Sequence, residues 1–202
     1  MRSALSVLAA LLLTTAAAAA PPPPQAEGCA DCHGKDGVST GGEIPTIAGI
    51  SAFALEAQMQ AYKAKARPCA KVKFEGGNHP AGATDDMCTI AGKLSDADIS
   101  ALAAHFSWFK FAPAKYTADA AKAAAGKKHH AANCEKCHTE GGSLAEDDAS
   151  IIAGQPKGYL FQAFKELRAG EREQDKKMAP KIKALKDAEI EALIEFYAGG
   201  GK

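Results

Sequence analysis

Cys29-Ala30-Asp31-Cys32-His33 and Cys134-Glu135-Lys136-Cys137-His138 are two copies of one pattern in a chain of 202 residues. Working outward at the offset of 105 that separates positions 29 and 134, Gly37 falls on Gly142, Ile47-Ala48-Gly49 on Ile152-Ala153-Gly154, Leu55 on Leu160 and Arg67 on Arg172, without a gap. Farther on the offset becomes 91, which lays Leu94-Ser95-Asp96-Ala97-Asp98-Ile99 on Leu185-Lys186-Asp187-Ala188-Glu189-Ile190. The first copy therefore carries 14 extra residues between Arg67 and Asp86. Each copy has the length of a small domain. The linker is placed near Phe111-Ala112-Pro113-Ala114, giving domains over 21–112 and 113–202.

Both copies read as helical. Leu55, Met59 and Tyr62 recur at i, i+4 and i+7, as do Leu160, Phe164 and Leu167, which is the apolar period of a helix packed on one face. Ile99, Leu102, Ala103 and Phe106 make the face of a later helix that Ser95 can cap, and Ile190, Leu193, Ile194 and Tyr197 repeat it. Residues 117–132 form a further helical stretch leading into the second cysteine motif, whereas only about eight residues precede Cys29 after the alanine-rich start. No stretch alternates convincingly as a strand. The expected fold is all-α, two tandem domains of a few helices each.

Cys-x-x-Cys-His is the attachment signature of c-type haem. Thiols three residues apart lie side by side on a helical turn, which suits two thioether bonds, and the adjacent histidine reaches the iron from the same side. Cys29 and Cys32, then Cys134 and Cys137, are thus expected to hold two covalent haem c groups, with His33 and His138 as iron ligands. A zinc ribbon would bring its cysteine pairs within ~15–20 residues of one another, and a thioredoxin-like redox pair would sit in a βαβ setting; neither context is present.

The second axial ligand follows from the repeat. Of four methionines, Met1 falls in the leader and Met59 aligns with Phe164 on a helix face, where a core role suffices. Met87 and Met178 stand 91 apart, each seven residues before its matched leucine, and are expected as the iron ligands opposite His33 and His138. A thioether opposite histidine raises the potential and closes the iron to added ligands, so no catalytic residue is expected and the chain reads as an electron-transfer protein rather than an enzyme. His79, His105, His129 and His130 have no matched histidine and read as surface or loop residues. Cys69 and Cys88 bracket the extra segment; in an oxidising compartment leftover cysteines pair, and such a bond would pin the insertion and hold Met87, free thiols being the alternative.

Arg2, the apolar residues 4–13 and the alanines up to Ala20 read as an export signal over 1–20, removed on the way to a periplasmic location, rather than as a membrane anchor. No membrane span is expected after its removal. With 24 basic and 24 acidic side chains, net charge points to neither nucleic acid nor an acidic membrane as partner.

These residues resemble the di-haem class I cytochromes c, including cytochrome c4 and the haem subunit of flavocytochrome c sulfide dehydrogenase, over nearly all of the mature chain. The two motifs, the Ile-Ala-Gly segments and the methionines ahead of the last helices carry the general likeness. The run from Cys134 to Gly142, Ile152-Ala153-Gly154-Gln155 and Lys176-Lys177-Met178-Ala179-Pro180-Lys181 look more like the sulfide dehydrogenase subunit. That resemblance implies a redox-protein partner, an FAD-containing sulfide-oxidising subunit, and a downstream electron acceptor; a free cytochrome c4-type shuttle to a terminal oxidase or other reductase is the alternative. The chain has no dinucleotide-binding glycine motif, so any flavin belongs to the partner. Two departures stand out. Pro45, ahead of the first Ile-Ala-Gly, is matched by Ser150, so the support of His138 is expected to differ. The cysteine-bracketed insertion lies outside the family pattern.

Overall fold

The computed structural model describes residues 21–74, 77, 79–80 and 82–202. The expected signal at 1–20 lies outside them. In chain order the helices are α1 (Ala26–His33), α2 (Ala52–Lys63), α3 (Met87–Gly92), α4 (Asp96–Ser107), α5 (Ala120–Asn133), the turn-like α6 (Thr139–Gly142), α7 (Lys157–Ala169), α8 (Ala179–Ala184) and α9 (Asp187–Ala198). Among the described residues none is long and apolar enough to cross a membrane. The one departure from an all-helical reading is a short antiparallel pair, β1 (Val72–Lys73) and β2 (Thr84–Asp85), with Val72 opposite Asp85. It lies inside the insertion, where two residues per strand are too few to show an alternating pattern.

Helix starts are written in the side chains. Ser51 Oγ accepts from the Ala54 N–H to open α2, and Asp86 accepts from the Thr89 N–H to open α3. Ser95 opens α4 with a full capping box, its hydroxyl accepting from the Asp98 N–H while the Asp98 carboxylate accepts from the Ser95 N–H. At the matched place in α9 the Glu189 carboxylate accepts from the Lys186 N–H at 2.8 Å.

The repeat is also a repeat of backbone hydrogen bonds. Ile47 and Ala48 donate to the Gly37 carbonyl and Gly49 to that of Phe106; Ile152 and Ala153 donate to Gly142 and Gly154 to Tyr197. Gly37 and Gly142 have φ of 79° and 82°, a left-handed conformation that glycine adopts without penalty. This lattice ties the loop after each histidine to the last helix of its own copy.

Each copy has its own core. In the first, Leu55 of α2 meets Leu102 and Phe106 of α4; in the second, Leu160 and Phe164 of α7 meet Leu193 and Tyr197 of α9. Helix α5 packs along α9 and has no equivalent of its length among the described residues of the first copy, whose α1 spans eight residues against fourteen. Gly126 permits that approach, since a Cβ there would lie 2.0 Å from the Ala192 carbonyl oxygen.

The two copies are joined by buried polar contacts. Gln155, fully buried, accepts from the Thr46 N–H at 3.0 Å and donates to the Thr46 carbonyl at 2.9 Å. Gln58 Oε1 accepts from Arg67 of its own copy and from Arg172 of the other, at 2.6 and 2.9 Å. Buried amides and guanidinium groups are tolerated because they are paired.

Candidate haem centres

In the first copy Cys29, Cys32 and His33 all lie on α1, so one helical turn presents both sulfurs and the following residue brings the imidazole. Cys32 and His33 are buried and Cys29 half-buried. As a thiol, Cys29 is pushed up to about 11, first by burial and then by its neighbour Cys32. The His33 Nδ1–H donates to the Pro45 carbonyl at 2.8 Å. That bond fixes the tautomer and leaves the Nε2 lone pair as the ligand atom. Burial holds His33 below the ordinary histidine range, with the Pro45 carbonyl acting the other way, so the ring stays in the neutral form that can ligate.

The second copy builds its site differently. Helix α5 ends at Asn133, and residues 134–138 continue as turns, with Cys134 accepting from the Cys137 and His138 N–H groups. Cys134 is half-buried and Cys137 exposed. Burial raises the Cys134 thiol against the opposing effects of a hydrogen bond with Tyr197 and the nearby Lys181 charge. His138 Nδ1 is buried without a hydrogen-bond partner among the described residues. The expectation that Ser150 changes the support of this ring is met: Ser150 has φ of 62°, a conformation proline cannot take, so the segment runs a different course from the one presenting the Pro45 carbonyl. The loop after His138 is held instead by Asp147, which accepts from the Thr139 N–H and hydroxyl at 2.6 and 2.8 Å. Burial and the neighbouring His130 lower the His138 pKa, with Asp147 opposing.

Met87 opens α3 and Met178 stands at the N-cap of α8, so matched methionines occupy matched helix starts. Met178 packs against the second core and Met59 against the first, as a core role for Met59 requires. A cleft of about 330 Å³ separates the end of α5, at His129 and Asn133, from Pro180, Lys181 and Ala184 of α8. It lies between the helix leading to the second motif and the helix that follows Met178.

Cys69 and Cys88 form a disulfide with Cα atoms 5.7 Å apart, within the usual range. The cross-link uses neither motif's cysteines and anchors the insertion directly beside Met87. Within the insertion, His79 bonds to the Asp31 carboxylate at 2.8 Å and stacks on Phe74 at 3.6 Å between centroids, which brings the segment onto the first motif.

One sequence expectation is corrected. His130 is not a surface or loop residue: it is 2% exposed, inside α5, with Nδ1 bonded to the Tyr197 hydroxyl at 2.9 Å and Nε2 to the Glu135 carboxylate. The signal was Tyr197 itself, which replaces Phe106 at a core position of the repeat, because a buried tyrosine hydroxyl calls for a partner.

The residues present fit covalent haem. Each copy offers two cysteines and a histidine at attachment spacing, the first imidazole is oriented by the Pro45 carbonyl, and the remaining cysteines are committed to a disulfide.

Comparison with known proteins agrees. Residues 25–109 match the family model for cytochrome c, and residues 121–196 match that for cytochrome c oxidase, cbb3-type, subunit III. The cytochrome c4 of Azotobacter vinelandii is 30% identical over 159 residues, covering 73% of this chain and 70% of that protein. The crystal structure of reduced recombinant cytochrome c4 from Pseudomonas stutzeri superposes with a TM-score of 0.69 at 27% identity, over 90% of this chain and 100% of that one. The thiosulfate dehydrogenase TsdBA from Marichromatium purpuratum gives a TM-score of 0.64 at 26% identity over 84% of this chain but only 36% of its own.

Proposed function

We propose a role from one premise: the chain belongs to the cytochrome c4 family, and it is a di-haem electron-transfer protein with two covalent haem c groups in two cytochrome c domains. The reading is a free periplasmic electron shuttle, accepting electrons from one redox protein and delivering them to another, such as a terminal oxidase or reductase. What carries it is full-length similarity to cytochrome c4, a likeness that spans both domains.

Each haem, when bound, supplies a one-electron ferric–ferrous couple. Cys29 and Cys32 tether the first and Cys134 and Cys137 the second. His33 and His138 would each give an imidazole ligand to the iron. Met87 and Met178 would supply a thioether ligand to each haem, which would keep external molecules from the iron and favour electron transfer over catalysis. The apolar clusters around Leu102 and Leu193 would keep water from the attached groups, and buried surroundings of this kind set potentials by withholding solvent.

The second reading keeps the resemblance of the 134–142 and 176–181 runs to a haem subunit served by an FAD-containing sulfide-oxidising partner. One experiment separates them. The protein is purified gently from the periplasm of its native cells, flavin is measured per two haems, and sulfide is added while haem reduction is followed. Two haems without flavin, inert to sulfide, is the result expected of the shuttle. Stoichiometric flavoprotein and rapid sulfide-driven reduction would replace it with the complex.

A further inference from the structure

The two matched methionines are held by different means. Met178 packs against the second core, and its N–H and that of Ala179 both donate to the Asp175 carbonyl at 3.0 Å, closing a turn ahead of α8. Thr84 and Asp85, matched at the offset of 91 to Asp175 and Lys176, lie instead in β2, and Asp86 is extended. Met87 is half-buried and, among the described residues, is not packed into the first core. The approach to Met87 therefore hangs on the insertion.

One covalent bond makes up the difference. Cys88 is the residue after Met87, in the first turn of α3, and is joined to Cys69 across a sequence separation of 19. Cys69 in turn stands two residues beyond Arg67, which is buried and donates to Gln58 at 2.6 Å beside the contact from Arg172. The bond thus ties the Met87 turn to the buried junction of the two copies. At the place matched to Cys88 the second copy has Ala179, and its only cysteines are those of its motif. The Asp86 carboxylate, which opens α3 by accepting from the Thr89 N–H, lies within 4.8 Å of both sulfurs, so parting them disturbs the helix cap as well.

The two sulfurs are open to exchange from one side. Cys69 is half-buried and is followed by the exposed Ala70 and Lys71, whereas Cys88 is buried, so a thiolate arriving from solvent meets Cys69 first. Among the described residues neither cysteine belongs to the apolar cluster of the first copy, where Leu55 of α2 meets Leu102 and Phe106 of α4. Helix α3 keeps its own seat on α2, with Ala91 fully buried. Opening the bond therefore loosens the first turn of α3 and leaves the core of the domain in place.

We propose that Cys69–Cys88 is a site of reversible thiol–disulfide exchange that controls Met87, its reduction turning the first haem site from a closed electron carrier into a binding site for a small neutral ligand such as carbon monoxide. This rests on the reading of Met87 as an axial ligand. The reductant is a protein dithiol. Its thiolate attacks the Cys69 sulfur, the S–S bond breaks, and Cys88 leaves as a thiolate that takes a proton from water. The second thiol of the donor then attacks the mixed disulfide and releases Cys69, which takes up the second proton. Two electrons have passed to the cystine, and the donor departs as a disulfide. Met87, no longer tethered through its neighbour, leaves the position that an axial thioether otherwise closes.

The test uses the ascorbate-reduced di-haem holoprotein without oxygen and takes two readings: thiols counted by maleimide mass-tagging, and carbon monoxide bound per chain from the Soret band. A reduced thioredoxin-type dithiol protein is expected to expose two thiols in the folded chain and to raise carbon monoxide binding from none to one per chain. Removing the dithiol and adding oxidised glutathione should reverse both. Cys69→Ser with Cys88→Ser should bind one carbon monoxide with no reductant present; if that variant does not fold, tris(carboxyethyl)phosphine on the wild type supplies the same reading. Met87→Ala is the reference and should bind one carbon monoxide whatever the state of the disulfide. If Met87→Ala binds none, the ligand reading fails and the proposal with it. If Met87→Ala binds one while the wild type with both thiols tagged binds none, the switch is overturned and the ligand reading stands. Thiols that appear only in denaturant, or two carbon monoxide molecules bound on reduction, would also overturn it, the first by excluding exchange in the folded chain and the second by marking a general loosening.

Discussion

His33 gives its Nδ1–H to the carbonyl of Pro45 at 2.8 Å, and the matched nitrogen of His138 has no partner among the described residues. A hydrogen bond of this kind makes the imidazole a stronger donor to iron and favours the ferric state. The two centres are therefore unequal although their motifs are identical in type. Of two resolved redox waves, the higher is expected to belong to the second domain. Met178→Ala should displace that wave downward and leave the lower one in place, as read by spectroelectrochemistry.

Loss of either proposed methionine should also open its iron. Met87→Ala and Met178→Ala are each expected to bind cyanide or imidazole at one haem per chain at concentrations that leave the wild type unaltered, because an axial thioether otherwise closes that position. Optical titration counts the sites. A wild-type binding curve in either variant would remove that methionine from the ligand set.

Ser150 invites a misleading repair. Restoring the proline of the first copy by Ser150→Pro should destabilise the second domain, since φ is 62° there and proline is held near −65°. Ser150→Gly should be neutral or stabilising by up to ~1 kcal/mol, because glycine takes the left-handed region without strain. In thermal melts Ser150→Pro should lower the melting temperature and Ser150→Gly should not.

Gly126→Ala separates packing from propensity. Alanine favours a helix over glycine by roughly 1 kcal/mol, yet the added Cβ would meet the Ala192 carbonyl oxygen at 2.0 Å. Overpacking should win and destabilise the domain by about 1–3 kcal/mol. Denaturant unfolding of the holoprotein measures the difference.

Glu195 gives the second domain an acid limit. Burial pushes its carboxyl up, but Lys157 at 2.6 Å, the Asp119 N–H and the Tyr116 hydroxyl outweigh burial and hold it below its ordinary 4.5. A carboxylate with a depressed folded pKa contributes stability that is present above 4.5 and lost as pH falls through the folded value. Glu195→Gln should be less stable at neutral pH and show a flatter loss of stability with acid, as followed by melting temperature against pH.

Much of this was legible in the sequence because the chain states it twice. The matched apolar faces around Leu102 and Leu193 mark α4 and α9, and Ser95 and Glu189 mark where they begin. The first attachment site follows from spacing, since one turn of α1 carries its three residues. The second is less direct: α5 stops at Asn133 and the motif turns, which spacing does not encode. The β1–β2 pair is not legible because two-residue strands have no period. His130 is not legible from matched histidines, because its role exists only where the copies differ, at Tyr197 and Glu135.

The central claim is most directly tested by a potentiometric titration of the purified holoprotein, with haem counted by mass. The account predicts two covalent haems per chain, two one-electron steps and low-spin spectra in both oxidation states. One haem, or a high-spin fraction that binds added ligand in the wild type, would contradict it.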